Sequence, residues 1–392
     1  MKKITLKPKR DASVRRNHPW VFSGAVAKKS EDLQDGDLVE VYDHRDNYLA
    51  TGHFQDGSIQ VRLFSFEQTE AGTDFWKAKL REAWTYRQAL GLPQDGFTDC
   101  LRLVHAEGDG MPGLIIDWYA GTAIIQCHSI GMHRQIDTIS QALQDLFGES
   151  LHAIYSKSAR ALPRNYGATV TDGYLYGDSD SYLTQENGLS FYVDWEEGQK
   201  TGFFLDQRTN RALLRTYAPG KKVANTFSYT GGFSIYALAA GASQVDSVDI
   251  SGRAMELTDK NVALNFGDDA KHTSHTQDVM EFLKTCDADY DLMVVDPPAF
   301  AKTMKKRHQA VQGYKRLNAL ALRKIKSGGL LFTFSCSQVV DKTLFDNTIV
   351  AAAVEARRQV RIMHHLNQPA DHPVNLFHPE GNYLKGLVLY VT

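Results

Sequence analysis

A thiol, a run of carboxylates and a small-residue turn are the groups in this chain that could carry a reaction. Cys336 stands between Ser335 and Ser337, directly after the apolar run Leu330-Leu-Phe-Thr-Phe334. Asp296 follows Leu292-Met-Val-Val295 and is tied to two prolines, Pro297 and Pro298. Asp249 ends Gln244-Val-Asp-Ser-Val248, and Val223-Ala-Asn-Thr226 runs through Phe227, Ser228, Tyr229 and Thr230 into Gly231-Gly232. Each group lies just past a short strand-like segment. In open α/β sheets ligands bind in the crevice beyond the carboxyl ends of the strands, so these loops are expected to face one crevice.

Most cysteines are small buried hydrophobes. A thiol in a serine-flanked turn past a strand end, beside a carboxylate, is instead placed as a nucleophile. Carbon-5 of a pyrimidine is too weak a nucleophile to take a methyl group unaided. A thiolate adding to C6 makes C5 enolate-like, a covalent-catalysis solution. An acid at N3 assists, and a base then removes the C5 proton. Asp296 beside Cys336 suits the acid, because the prolines cannot continue a strand ladder and so fix where the carboxylate points.

A nucleotide-type ligand needs close backbone approach after the first strand and an acid after the second. Tyr229-Thr-Gly-Gly232 offers the approach, and the Asp249 carboxylate can accept both ribose hydroxyls. The loop is not G-x-G-x-x-G, which weakens a dinucleotide reading. A ligand without phosphates tolerates the looser loop, and S-adenosylmethionine is the expected cofactor. Asp278, after Thr276-Gln277, is placed for an adenine amino group and also reads as a helix N-cap. Asp249 could alternatively offset a helix macrodipole. Ile250 and Val279 join the cofactor-binding set with their acids. Ala299 separates Pro298 from Phe300, which argues against the adenine-amino version of the Asp-Pro-Pro motif, where an aromatic follows the prolines directly.

The elements that must position these groups read as β-then-α units from Asp194 onward. Strands are expected at 221–226, 244–249, 290–295, 330–335, 360–363 and 384–390. Helices fall at 232–240, 253–265, 279–284, 309–324 and 342–356. That alternation predicts a mostly parallel, Rossmann-like α/β sheet covered on both faces. Residues 1 to about 70 read as short strands of a small β-barrel, with 4–7, 38–42 and 59–64 alternating. The stretch 73–193 reads as α+β, with a helix at 75–90, strands at 101–105, 114–119 and 122–127, and a helix at 132–147. Glu107-Gly-Asp-Gly110 is expected to be a glycine-demanding turn rather than a metal or phosphate loop.

The totals set limits. With 392 residues, 43% of them apolar and 23% charged, the composition is that of a globular protein of two or three domains. The net charge of −2 hides a basic start. Residues 1–29 hold nine lysines and arginines against one acid, Asp11, which reads as a solvated end or a polyanion-binding face. Four dispersed cysteines form no CxxC pair and imply no zinc site or disulfide framework. No stretch reaches the ~20 apolar residues of a membrane span, so a cytoplasmic protein is expected.

The chain resembles the bacterial 23S rRNA 5-methylcytosine methyltransferases. The likeness begins at His18-Pro-Trp-Val-Phe-Ser-Gly24, typical of their PUA module, and continues through Glu107 to Leu114 and Gln199-Lys-Thr-Gly-Phe-Phe-Leu-Asp-Gln-Arg208. It ends with Asp371-His-Pro373 and Pro379-Glu-Gly-Asn-Tyr-Leu-Lys-Gly386. The resemblance implies a PUA-like RNA-binding domain at 1–72, a central α+β domain at 73–193 and a class I methyltransferase domain at 194–392. It implies 23S rRNA or a large-subunit precursor as partner, a possible homodimer, and a cofactor bordered by Phe204, Asp206, Gln207 and Arg208. Cys336 is then the nucleophile. Many RNA cytosine-C5 methyltransferases carry a second cysteine after the Asp-Pro-Pro-like motif; here Ala299-Phe300 stand there. Glu380 is the expected base for the C5 proton, with His372 second. Trp20 and Phe22 are expected in the core. The rival readings are methylation of another rRNA base and a non-catalytic RNA-binding or assembly factor.

Overall fold

The computed structural model describes residues 2–179, 182–268, 270–301 and 303–392. Their contacts divide the chain into two units. The first comprises Met1–Glu186, Val193–Leu205 and Ala370–Gly381; the second comprises Asn187–Tyr192, Asp206–Pro369 and Asn382–Thr392.

The first unit opens with a six-stranded sheet ordered Trp20–Phe22, Ile59–Ser65, Tyr48–Phe54, Leu38–Tyr42, Lys2–Leu6 and Val26–Lys29. Alternating residues such as Ile4, Leu6, Val39, Val41, Val61 and Leu63 build its core, as the period-two pleat requires. Tyr48–Phe54 has no alternation to read, because six of its seven residues are buried. Val21 points into this core, so its neighbours point away. Trp20 is half-buried, and Phe22 is 43% exposed, contrary to the core position expected for it.

A five-stranded sheet follows, ordered Gly173–Tyr176, Ala153–Ser156, Thr122–Cys127, Leu114–Tyr119 and Cys100–His105. The helices Thr73–Ala89 and Ile136–Phe147 cover it through Trp76, Leu80, Ala83, Ile139 and Leu143. The Glu107 to Gly110 stretch is a turn between two antiparallel strands, with Gly110 at φ +66°. Its acids serve the scaffold. Glu107 accepts the Trp20 indole N–H at 2.9 Å, and Asp109 pairs with the fully buried Arg87. Arg87 also donates to the Asp371 carbonyl at 2.7 Å, and the Asp371 carboxylate accepts the Arg102 N–H at 3.1 Å. These bonds anchor Ala370–Gly381 in the first unit.

The second unit is built on seven strands: β1 Lys222–Thr226, β2 Gln244–Asp249, β3 His272–Thr276, β4 Tyr290–Val295, β5 Ile325–Ser335, β6 Val360–Leu366 and β7 Lys385–Val391. Their order is β3-β2-β1-β4-β5-β7-β6. Neighbours from β3 to β5 are parallel, and β7 is antiparallel to both β5 and β6. The helices are α1 Arg208–Tyr217, α2 Gly232–Ala239, α3 Gly252–Phe266, α4 Val279–Thr285, α5 Arg307–Lys324 and α6 Lys342–Ala356. Leu214, Phe233 and Ala237 of α1 and α2 pack on one face with Val223, Leu292, Val294 and Phe332. Phe282, Tyr314, Leu317, Phe345 and Ile349 of α4, α5 and α6 pack on the other with Ala224, Met293, Val295 and Leu331. Burial on both faces explains why these strands read as continuous apolar runs. Among the described residues no helix is long and apolar enough to cross a membrane.

Within the first unit, the short helix Ile130–Arg134 meets the strand Tyr48–Phe54 with no spare volume. A Cβ on Gly131 would sit 2.3 Å from Cβ and Cγ of His53, a buried ring stacked on Trp76. Gly131→Ala should therefore cost roughly 1–3 kcal/mol. Urea unfolding checks this, and an unchanged midpoint would mean that the contact yields freely.

Candidate active site

The loop after β1 is held in an uncommon backbone state. Phe227, Tyr229 and Gly231 lie at φ +56°, +48° and +79°. Two of the three are not glycine, and such left-handed residues cluster where function requires them. Position 231 must be glycine twice over, since a Cβ would also sit 2.7 Å from Thr258 Cγ2. The loop is pinned from α3. Thr258 Oγ1 donates to the Tyr229 carbonyl at 2.8 Å, and Asn261 Nδ2 donates to the Thr230 carbonyl at 3.0 Å. From below, the Ser228 N–H donates to the Val248 carbonyl at 3.0 Å.

Asp249, at the end of β2, is turned onto this loop. Its Oδ2 accepts the Tyr229 N–H and its Oδ1 the Ser251 N–H, both at 3.0 Å. Each carboxylate oxygen keeps a further lone pair. Ile250 beside it is 72% exposed. Asp278 caps α4, where its Oδ1 accepts the N–H groups of Met280 and Glu281 at 2.8 and 3.1 Å. Its Oδ2 takes no part in that cap, and Val279 is buried.

A second group forms around Asp296 at the end of β4. Gln207 Nε2 donates to Asp296 Oδ2 at 2.9 Å, and Asn210 Nδ2 donates to Gln207 Oε1 at 2.6 Å, which fixes the amide's orientation. Asp206 Oδ2 accepts the Tyr383 hydroxyl at 2.7 Å, and its Oδ1 is buried with no hydrogen-bond partner among the described residues. Arg208 and Arg211, on α1, are buried. Burial, reinforced by the Asp206 charge, raises the Asp296 carboxyl to about 7, with Gln207 and Arg211 opposing the rise. Pro297 is buried, while Phe300 folds back onto Tyr314 with ring centroids 4.6 Å apart.

Cys336 is half-buried past the end of β5. The turn after it is tightly held. Ser337 Oγ donates to the Ala301 carbonyl at 2.7 Å, and Lys385 Nζ donates to the Ser337 carbonyl at 2.8 Å. Burial pushes the thiol up to about 11, and the Asp296 and Asp206 charges add to the rise. A backbone hydrogen bond and Lys385 pull the other way.

The second unit thus brings the Phe227 to Gly231 loop and Asp249 to one strand end. It places Asp206, Gln207, Asp296 and Cys336 in one electrostatic cluster. Phe204, half-buried, belongs to the first unit, as do Glu380 and His372. Glu380 lies 3.6 Å from His18 Nε2 and 3.8 Å from His378 Nε2. His372 is buried, with Nδ1 3.2 Å from Asp371 Oδ1. The sequence alone assigns Tyr383 and Lys385 no role. Their only signal was the tail Asn382-Tyr-Leu-Lys-Gly386.

Residues 101–379 match the family described as S-adenosylmethionine-dependent methyltransferase, and residues 4–66 match a PUA-like domain. The ribosomal RNA large subunit methyltransferase I of Pseudoalteromonas atlantica is 39% identical over 99% of both chains. Those of Alteromonas mediterranea and Escherichia coli are 38% identical over 99% of this chain and 98% and 99% of theirs. This chain belongs to that family. It is a class I methyltransferase fold behind a PUA-like domain, and its cofactor is S-adenosylmethionine. The fold is shared with a Streptococcus mutans structure described as a candidate SAM-dependent methyltransferase, at TM-score 0.84 and 24% identity over 99% of this chain and 100% of that one. SMU.776, solved in complex with SAH, aligns at TM-score 0.85 with the same identity and coverage.

The raised Asp296 carboxyl has a stability consequence. Its folded value of about 7 exceeds the ordinary 3.8, so the folded state holds the proton more tightly and stability falls as pH rises from about 4 to 7. Asp296→Asn should stabilise the protein more at pH 8 than at pH 5, by roughly 1–3 kcal/mol. Thermal unfolding at the two pH values reads this difference. An equal effect at both would mean that the carboxyl titrates normally.

Proposed function

We propose that this protein methylates C5 of a cytosine in large-subunit ribosomal RNA through a covalent bond between Cys336 and C6. The observation that carries the reading is the pairing of a thiol past the β5 end with a neighbouring carboxyl that titrates near neutrality. The relatives' printed name supports the RNA class. A basic first stretch within the PUA-like sheet suits phosphate contacts.

The cofactor fits the residues present. The left-handed loop from Phe227 to Gly231 leaves backbone open to close approach, Asp249 would accept the ribose hydroxyls, and Asp278 has an oxygen left for the adenine amino group. Ile250, Val279 and Pro297 would complete the walls, and the segment with Phe204, Asp206, Gln207 and Arg208 would border the cofactor. When bound, S-adenosylmethionine supplies an electrophilic methyl group. A carboxyl near 7 is part-protonated at neutral pH, so Asp296 can donate to N3 as the Cys336 thiolate adds to C6. Electron density then rises at C5, which takes the methyl group. Removal of the C5 proton re-forms the C5–C6 double bond and expels the thiolate. The target base must be unpaired or flipped out for this to occur.

RNA carrying 5-fluorocytosine cannot lose a C5 proton, so the wild-type protein should be trapped as a covalent adduct that Cys336→Ala abolishes. Methyl transfer by Cys336→Ala at the wild-type rate would exclude the thiolate. Absence of transfer by the wild-type protein to any ribosomal RNA would favour an RNA-binding or assembly factor. Transfer to another base would favour the alternative methyltransferase.

Glu380 is the proposed acceptor of the C5 proton. Glu380→Gln should still form the methylated adduct but release it about 100-fold more slowly, as single-turnover release of labelled RNA would measure. Release at the wild-type rate would assign the proton to another group.

A further inference from the structure

Lys385 is a buried cation with no counter-ion among the described residues. Its residue is 8% exposed, and its one hydrogen bond is to the Ser337 carbonyl at 2.8 Å. Among the described residues no carboxylate forms an ion pair with it. An ammonium has three donors, and burying it unpaired costs several kcal/mol. A neutral amide could hold the same carbonyl without that cost. The charge itself therefore calls for a reason.

The reason lies one residue before that carbonyl. We infer that Lys385 is an electrostatic positioning residue for Cys336, the cation that balances the thiolate when it forms and again when it leaves the base. The inference rests on Cys336 being the nucleophile. The groups that face the thiol from the packed elements are Asp296 past β4, Asp206 in the turn before α1, Tyr314 on α5 and Lys385 on β7. The two acids oppose a thiolate, and Lys385 is the cation among these side chains. The charges facing Lys385 in return are Cys336 and Asp341.

In the reaction the thiol proton passes to solvent and the Sγ–C6 bond forms as the C5–C6 pair shifts toward C5. C5 would take the methyl group as its bond to the cofactor's sulfonium breaks, the electron pair staying on that sulfur; the base takes the C5 proton, N3 returns its proton to Asp296, and the C5–C6 double bond returns as the Sγ–C6 bond breaks. Negative charge stands on Sγ at the first step and at the last. A fixed cation there needs no reorganisation at either moment.

Iodoacetamide alkylation of Cys336 in the full-length protein, followed on its own peptide by mass spectrometry, reads the thiolate directly. Well below the thiol's midpoint the rate is proportional to the thiolate fraction. A cation beside a thiol favours the thiolate. Lys385→Met and Lys385→Gln should thus slow alkylation at pH 8 about 10- to 100-fold, and Lys385→Arg should restore most of it. The Gln variant keeps a donor for the Ser337 carbonyl, so it separates charge from hydrogen bonding. Folded Met and Gln variants that alkylate at the wild-type rate would overturn the proposal while leaving the thiolate mechanism standing. Methyl transfer that survives Cys336→Ala would instead remove the mechanism beneath it. Should neither variant fold, the 13C spectrum of wild-type protein with ε-13C-lysine carries the test. An ammonium at Lys385 at pH 8 supports the proposal, and a neutral amine there overturns it.

Discussion

Strand β7 lies antiparallel between β5 and β6, and the places of Lys385 and Tyr383 in the second unit depend on that register. Ser335 pairs with Lys385, Phe334 with Gly386 and Thr333 with Leu387. Leu387, Leu389 and Val391 face one core, while Val388 faces the other. A slip of one residue would turn each set to the wrong face, so the register is held by burial along the whole strand. Gly386 tightens it further, because a Cβ there would sit 2.6 Å from Phe334 Cδ1. Once β7 is seated, Lys385 must lie beside the turn after Cys336, and Tyr383 is brought to Asp206.

The site so formed gives up stability for reactivity. Burial and the Asp206 charge raise the cost of ionising Asp296 at a strand end, a thiol is pushed away from its reactive form, and an ammonium is buried with one hydrogen bond among the described residues. Phe227 and Tyr229 hold left-handed backbone that favours glycine. Real proteins break local rules of this kind at functional sites and compensate elsewhere. Here the compensation is visible in the two apolar clusters that sandwich β1, β4 and β5. They fix the strand ends well enough that unfavourable charges cannot relax apart.

The part of this arrangement that was legible in the sequence is the part written by short-range pattern. Strands β1, β4 and β5 are buried on both faces, so they appear as apolar runs bounded by prolines, serines and glycines. Their exits therefore announced Gly231, Asp296 and Cys336. The same physics hid Tyr48–Phe54, whose mixture of Thr51, Gly52 and His53 among apolar residues offers neither alternation nor an apolar run. Phe22 was misjudged because a three-residue edge strand is too short for its outward face to show as a pattern. Lys385 was invisible for a different reason. Its meaning comes from pairing with a strand 50 positions earlier, and no local spacing encodes such a register.

The tail also explains why sequence order is a poor guide to the boundary between the units. An Arg87 N–H and the Arg102 backbone N–H take up Asp371 through its carbonyl and carboxylate, buried hydrogen bonds that would be lost if the segment moved elsewhere. Twelve residues later the chain is committed again, by Tyr383 on Asp206 and then by the β5 pairing. Glu380 falls between these two fixed points, exposed in a short turn next to His18 and His378. Its backbone is thus constrained from both sides, while its side chain stays exposed beside the two imidazoles. Asp109 and Asp371, by contrast, are fixed by bonds to the buried Arg87 and to the Arg102 N–H.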